Sequence, residues 1–271
     1  MKVMKKVAQV AADVYRLLTW DRTVGAFRGV YRSYDEAYSF LKSRGEKVNY
    51  DVESMRQVYL NINEKLKEQS VLDYEYPMFF WLLRTHMEYE KKGLTLKVFD
   101  FGGSFGVHFF KYLRLAPNNN SVWTVCETPE TVSVAREQLL QWEMMLSFTK
   151  NLEDAYGVDV FFSSGALQHV PSPATLLGKL KEKPKYLILG RLFLQDKTKS
   201  FHTVQNGGVR FYPFKIFNES EFISELTGMG YKLKEKWETK SDSVIIPFHR
   251  DVSLHSAAGL FFTLDCVPNE G

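Results

Sequence analysis

The residues most able to do chemistry lie in one short run, Asp100-Phe101-Gly102-Gly103-Ser104-Phe105-Gly106, preceded by the apolar Val98-Phe99. Apolar residues and an acid end a strand, small residues turn the chain, and a helix begins near Val107. Glycine lets a backbone turn sharply and lets a ligand come close to it. In an open α/β sheet, ligands sit beyond the carboxyl ends of the strands, where this turn lies. A second acid, Glu127, closes the next apolar run, Trp123-Thr-Val-Cys-Glu127. It stands near the distance, about 20 residues past the turn, at which an acid can accept both ribose hydroxyls of a bound nucleoside. The pair points to a nucleoside-bearing ligand. A dinucleotide turn reads G-x-G-x-x-G. Counted from Gly102, its third glycine would be Val107, which disfavours a nicotinamide cofactor.

Further along stand polar residues suited to a second ligand. His169 has an ordinary pKa near 6.5; it is a general-base candidate, or a histidine that steadies the turn before a proline-rich helix start. Arg191 follows an apolar strand directly. It could grip a carboxylate or phosphate through two parallel bonds, or make a surface ion pair. His202, Gln205, Asn206 and Tyr212 could exchange hydrogen bonds with a polyhydroxyl substrate, or satisfy the backbone of the loop that carries them.

These residues need a scaffold, and its rhythm is legible. Before Gly93 the pattern is helical. Val3, Val7, Val10, Val14 and Leu17 recur at helical spacing, and further helices are predicted over 34–41, 52–66 and 77–89. Ser33 is a plausible N-cap with Glu36 three residues on. No strand pattern interrupts this region. From Leu94 onward, strands predicted at 96–101, 122–126, 159–163 and 186–189 alternate with helices at 107–115, 131–142, 175–180 and 219–229. Such alternation implies an α/β fold with a parallel, doubly wound sheet. The last strands, 231–237 and 260–264, have no helix between them and suit an antiparallel pair at the sheet edge. Residues 1–92 therefore read as a helical region and 93–271 as the sheet domain.

The bulk properties are those of an ordinary globular chain. Of 271 residues, 45% are hydrophobic and 25% charged, with a net charge of +3. The basic residues are scattered, so no nucleic-acid stripe is expected. Cys126 and Cys266 belong to no CxxC pair, so no metal site is expected, and buried thiols in a cytoplasmic protein fit them best. No stretch approaches the roughly 20 apolar residues of a membrane helix.

The spacing Gly102-x-Ser104-x-Gly106 resembles the S-adenosyl-L-methionine loop of class I methyltransferases, with serine at the middle glycine. The segment from Asp159 through Ser163-Ser164-Gly165 to His169-Val-Pro resembles their fourth strand and the turn after it. Gly29-Val-Tyr31, Ser33-Tyr34, Tyr76-Pro77, Ile188-Leu-Gly-Arg191, Thr203-Val-Gln205-Asn206, Tyr212-Pro213 and Ile216-Phe217 extend the resemblance to the methyltransferase family of bacterial surface-polysaccharide gene clusters. The resemblance implies a Rossmann-like methyltransferase sheet with an N-terminal helical extension capping the acceptor pocket. It implies S-adenosylmethionine as cofactor, held by Asp100, Gly102, Gly103, Ser104, Gly106, Glu127, Thr128, Asn151, Ser163 and Ser164, with Phe148 a further candidate beside adenine. His169 and Arg191 are then the catalytic candidates. A sugar hydroxyl of a glycan precursor is the favoured acceptor, and O-methylation the favoured reaction. The other readings are an adenosylmethionine-binding protein without turnover and, less favoured, a nicotinamide-dependent oxidoreductase.

Overall fold

The computed structural model describes the chain except for residues 1, 50, 67–69, 171, 241 and 266–271; Pro171 and Cys266 lie outside the described residues. In order, the elements are α1 (Lys2–Leu18), β1 (Phe27–Tyr31), α2 (Tyr34–Ser43), α3 (Val52–Leu66), α4 (Tyr76–Glu90), β2 (Lys97–Phe101), α5 (Val107–Leu115), β3 (Val122–Cys126), α6 (Pro129–Gln138), β4 (Leu146–Thr149), β5 (Val160–Ser164), α7 (Pro173–Gly178), β6 (Tyr186–Leu192), β7 (Leu194–Gln195), β8 (Phe201–Asn206), β9 (Phe211–Asn218), α8 (Glu219–Gly228), β10 (Tyr231–Thr239) and β11 (Ala257–Leu264).

Seven strands form the main sheet in the order β10-β11-β6-β5-β2-β3-β4. The five strands from β6 to β4 are parallel, and β11 and β10 close one edge antiparallel, as the sequence predicts. Parallel strands are buried on both faces, and alternate residues serve the two sides. Val98 and Phe162 meet Phe79, Phe109 and Tyr112 from α4 and α5. Phe99 and Phe161 meet Leu177, Phe222 and Leu226 from α7 and α8. Each such large side chain contributes about 1.5–3 kcal/mol when fully buried.

Helix starts follow local chemistry. The Ser33 hydroxyl accepts the Glu36 N–H, and the Glu36 carboxylate accepts the N–H of Arg32. The Asn218 side chain accepts the Glu221 N–H and so caps α8.

The expectation that no strand interrupts the first ninety residues is wrong. β1 pairs with β8, β8 pairs with β9, and β7 completes a second sheet in the order β1-β8-β9-β7. The segment read as a loop, Gln205 to Tyr212, is thus a hairpin with its connecting turn. Local pattern hid both parts. Gly29 takes a left-handed φ of 73°, and the β1 register shifts between Arg28 and Tyr31, which erases the two-residue alternation. β9 carries Pro213, which argues against a strand in sequence alone. One face of this sheet packs Val204 against Trp20, Ala37 and Leu41. Residues of the other face, Phe27 and Phe214, join Phe193, Val244 and Ile246.

Candidate active site

The glycine turn joins β2 to α5 at the carboxyl end of the sheet. Gly102 has a φ of 73°, and a Cβ there would stand 2.2 Å from the Cβ of Ala166. Ser104, at the position of the usual middle glycine, is also left-handed, with a φ of 54°. That conformation costs a non-glycine residue on the order of 1–3 kcal/mol. It aims the Ser104 N–H at Glu127 Oε1, 3.0 Å away, while Thr128 N–H donates to Glu127 Oε2 at 2.9 Å. Both carboxylate oxygens are therefore oriented by backbone, and each keeps a lone pair for a further donor. Burial pushes the Glu127 pKa up, against the lowering effect of the two backbone bonds.

Asp100 is fully buried beneath the turn. A Cβ on Gly103 would meet its Oδ2 at 2.2 Å, so only glycine fits above it. Asp100 Oδ2 accepts from His108 Nδ1 at 2.9 Å, and Oδ1 has no donor among the described residues.

A cavity of about 770 Å³ opens beside the turn. Gly102, Gly103, Ser104, Val107, His108 and Lys111 form one wall, and Ser164 and Arg191 another. Ile62 near the end of α3, with Ser70, Leu72, Tyr74 and Glu75, covers it. This cover is tied down by a buried ion pair. Lys111 Nζ donates to both Glu75 oxygens at 2.6 Å, and Glu75 also accepts the Leu72 N–H.

Arg191 stands between this cavity and a second one of about 310 Å³, whose lining includes Gly165, His169, Gln205, Tyr212, Phe214 and Asp242. Arg191 has a φ of 51° and extends its guanidinium to Asp242, Nε to Oδ2 at 2.9 Å and Nη2 to Oδ1 at 3.2 Å. It also lies 5.6 Å from the centre of the Tyr74 ring. Burial opposes its charge, but Asp242 outweighs that and holds the Arg191 pKa above its usual value. His169 sits edge-on to Tyr212 and Phe214, and burial pushes its pKa down to about 4. Its Nδ1 makes a long contact of 3.4 Å with the Pro213 carbonyl. Only Nδ1–H can serve that acceptor, which leaves Nε2 as a neutral, lone-pair nitrogen.

The remaining candidates fall elsewhere. The Thr128 hydroxyl caps α6 through Thr131. Ser163 is buried and ties β5 to the Phe101 carbonyl. Phe148 belongs to the core, because alternation turns it inward, and Asn151 is exposed past the end of β4. Gly106, with a φ of 78°, starts α5 against Leu146 rather than lining the cavity. Asn206 donates to the Trp20 carbonyl and accepts from Gly208, so its amide holds the hairpin. His202 points to the opposite face of the second sheet, edge-on to Tyr34, and lines neither cavity. Strand alternation separates it from Gln205, which does line the smaller one.

Sequence reasoning missed His108, Lys111, Glu75 and Asp242, and it read Tyr74, in the aromatic cluster with Tyr76, Phe79, Phe80 and Trp81, as core rather than as a sugar-stacking platform. His108 was findable: a strand–turn–helix unit folds the helix's first turn back onto the strand end that carries Asp100. Asp242 lies in an irregular stretch with no periodic signal.

No protein-family model and no curated protein matches the chain. Solved structures do. A provisionally assigned sarcosine dimethylglycine methyltransferase from Galdieria sulphuraria superposes with a TM-score of 0.50 at 10% identity, over 78% of this chain and 98% of that one. LepI in complex with SAM gives a TM-score of 0.50 at 10% identity, over 95% of this chain and 63% of LepI. The 1,6-didemethyltoxoflavin-N1-methyltransferase of Burkholderia thailandensis gives 0.46 at 15% identity, over 80% and 93%. The likeness establishes the fold, a Rossmann-like methyltransferase sheet, mostly parallel with an antiparallel edge.

Proposed function

We propose that this chain is an S-adenosylmethionine-dependent methyltransferase that acts on a hydroxyl of a small molecule or glycan precursor. One observation carries the reading: in a methyltransferase fold, a backbone-oriented Glu127 carboxylate with free lone pairs stands against a glycine turn that borders a large cavity. The residues present fit the cofactor. Asp100, fully buried beneath Gly103, would orient from below the turn that receives the ligand. Glu127 would accept the ribose hydroxyls, and Gly102 and Gly103 would admit the ligand's backbone-side approach.

The cofactor, when bound, supplies a methyl group already activated by its sulfonium. The protein's task is then alignment, removal of a proton and exclusion of water. The smaller cavity suits the acceptor. His169 Nε2 would take the hydroxyl proton, while Tyr212 and Phe214 hold the imidazole in place. Arg191 is already neutralised by Asp242. The cavity therefore offers a neutral pair of donor and acceptor groups, which favours a polyhydroxyl acceptor over a carboxylate or phosphate. Gln205 and Tyr212 add to that hydrogen-bonding wall. The N-terminal region would act as the cap through the segment 70–75, with cytoplasmic surface-polysaccharide synthesis as the setting.

Titration calorimetry with S-adenosylhomocysteine and with NAD tests the reading. Saturable binding of the first and none of the second is expected; the reverse would overturn it.

A further inference from the structure

Helix α1 is mounted inside out. Amphipathic helices of globular proteins turn their apolar stripe to the core. Here Val7, Val10, Val14 and Leu18, with Met4 and Tyr15 beside them, fall on one face, and all six are exposed, Met4 by 77%, Val7 by 64% and Leu18 by 73%. The polar face is the one that docks. Arg250 reaches across to the buried carboxylate of Asp13, with Nε and Nη2 both at 3.2 Å from Oδ2, and donates to the Gln9 carbonyl at 3.0 Å. Asp13 also receives Arg16 at 3.6 Å.

The charge on α1 selects what covers the apolar face. Its basic residues are Lys2, Lys5, Lys6 and Arg16, and its one acid is the buried, doubly paired Asp13. No acid occupies the first turn, where the helix dipole favours negative charge. Positive charge is thus concentrated at the end where the dipole is also positive. A second copy of the helix would bring like charge against it; an anionic bilayer brings the opposite sign. Five charged residues prevent the helix from spanning, and among the described residues no helix is long and apolar enough to cross a membrane. A strong apolar face with a basic polar face is the pattern of helices that lie in the bilayer interface.

We infer that α1 is an in-plane anchor that seats the protein on an anionic lipid surface. A groove beside α1, which includes Tyr15 and the exposed Val24, shares Gly25, Phe27 and Ser243 with the smaller cavity of the candidate site. The groove and that cavity therefore share one wall; the anchor itself does not rest on the proposed acceptor role of the cavity.

Co-sedimentation of the full chain with vesicles is the test. Binding to vesicles of equal parts phosphatidylcholine and phosphatidylglycerol is expected, with little binding to pure phosphatidylcholine and a decline as salt rises. The double variant Val7→Glu/Val14→Glu should lower the bound fraction about tenfold with an unchanged melting temperature, since both positions are exposed. Should that variant fold poorly, Lys5→Glu/Lys6→Glu tests the charge alone and should weaken binding in the same direction. Equal binding to both vesicle types, or undiminished binding of the charge variant, would overturn the proposal. So would a dimer by light scattering without lipid that Val7→Glu/Val14→Glu separates, which would make the face a self-association surface.

Discussion

Arg191 and Asp242 form a two-bond ion pair at the boundary between two cavities, with Arg191 in a left-handed backbone conformation at the end of its strand. One residue thus touches both the space beside the glycine turn and the space beside His169. Arg191→Ala should leave S-adenosylhomocysteine affinity within about threefold of the parent, a change under 1 kcal/mol, while turnover is lost. Arg191→Lys should recover only part, because an ammonium cannot reproduce the planar two-bond contact. Calorimetry of the variants decides it: a large loss of affinity would put Arg191 on the cofactor side.

Glu127 offers a test through both affinity and pH. Glu127→Gln keeps one acceptor and loses the charge, and should cost about 1.5–3 kcal/mol of S-adenosylhomocysteine binding. Because burial raises its folded pKa, the charged form is disfavoured in the native state. Its contribution to stability is present at low pH and lost as pH rises through that raised value. The melting temperature of Glu127→Gln relative to the parent should therefore improve from pH 4.5 to pH 7.5. A constant difference across that range would contradict the assignment.

The buried pair of Lys111 and Glu75 fastens the segment that covers the large cavity. Lys111→Met strands a buried carboxylate and should cost about 3–5 kcal/mol. The double variant Lys111→Met/Glu75→Leu should recover most of that. Urea unfolding of the two single variants and the double one gives the coupling directly. If the effects simply add, the pair is not acting as a unit.

His169 makes the fold sensitive to acid. Its folded pKa is about 4, against 6.5 for the free side chain. A histidine depressed in this way contributes stability that is complete above pH 6.5 and fades as pH falls toward 4. The slope inside that window is about 1.4 kcal/mol per pH unit for each such group. His169→Gln should flatten the acid limb of a plot of urea midpoint against pH. An unchanged limb would mean that the imidazole is charged in the folded protein.

Six strands of the main sheet were readable because each carries a local mark, an apolar run that ends in a turn or an acid; β4, only four residues long and with Ser147 exposed in its middle, carries none. Gly102, Glu127 and Ser164 could be placed because they stand at the ends of such runs. The second sheet left no comparable mark, since Gly29 and Pro213 break its alternation and its partners are far apart in sequence. That is why His202 and Asn206 were grouped with Gln205 although alternation along β8 sends them to the other face. Asp242 and the cover around Glu75 depend on tertiary approach alone, which no spacing encodes.

The pairing of β1 with β8 also bears on how the chain is made. The Thr203 hydroxyl bonds to the carbonyl of Arg28, 175 residues earlier. On a ribosome, β1 emerges and then waits for about 175 further residues before its neighbour exists. Closing so long a loop slows folding, and an unpaired strand edge invites misassembly in the interval. Translation that stops before β8 should leave a fragment with β1 unpaired, and completion of the second sheet should be among the last events as the full chain matures.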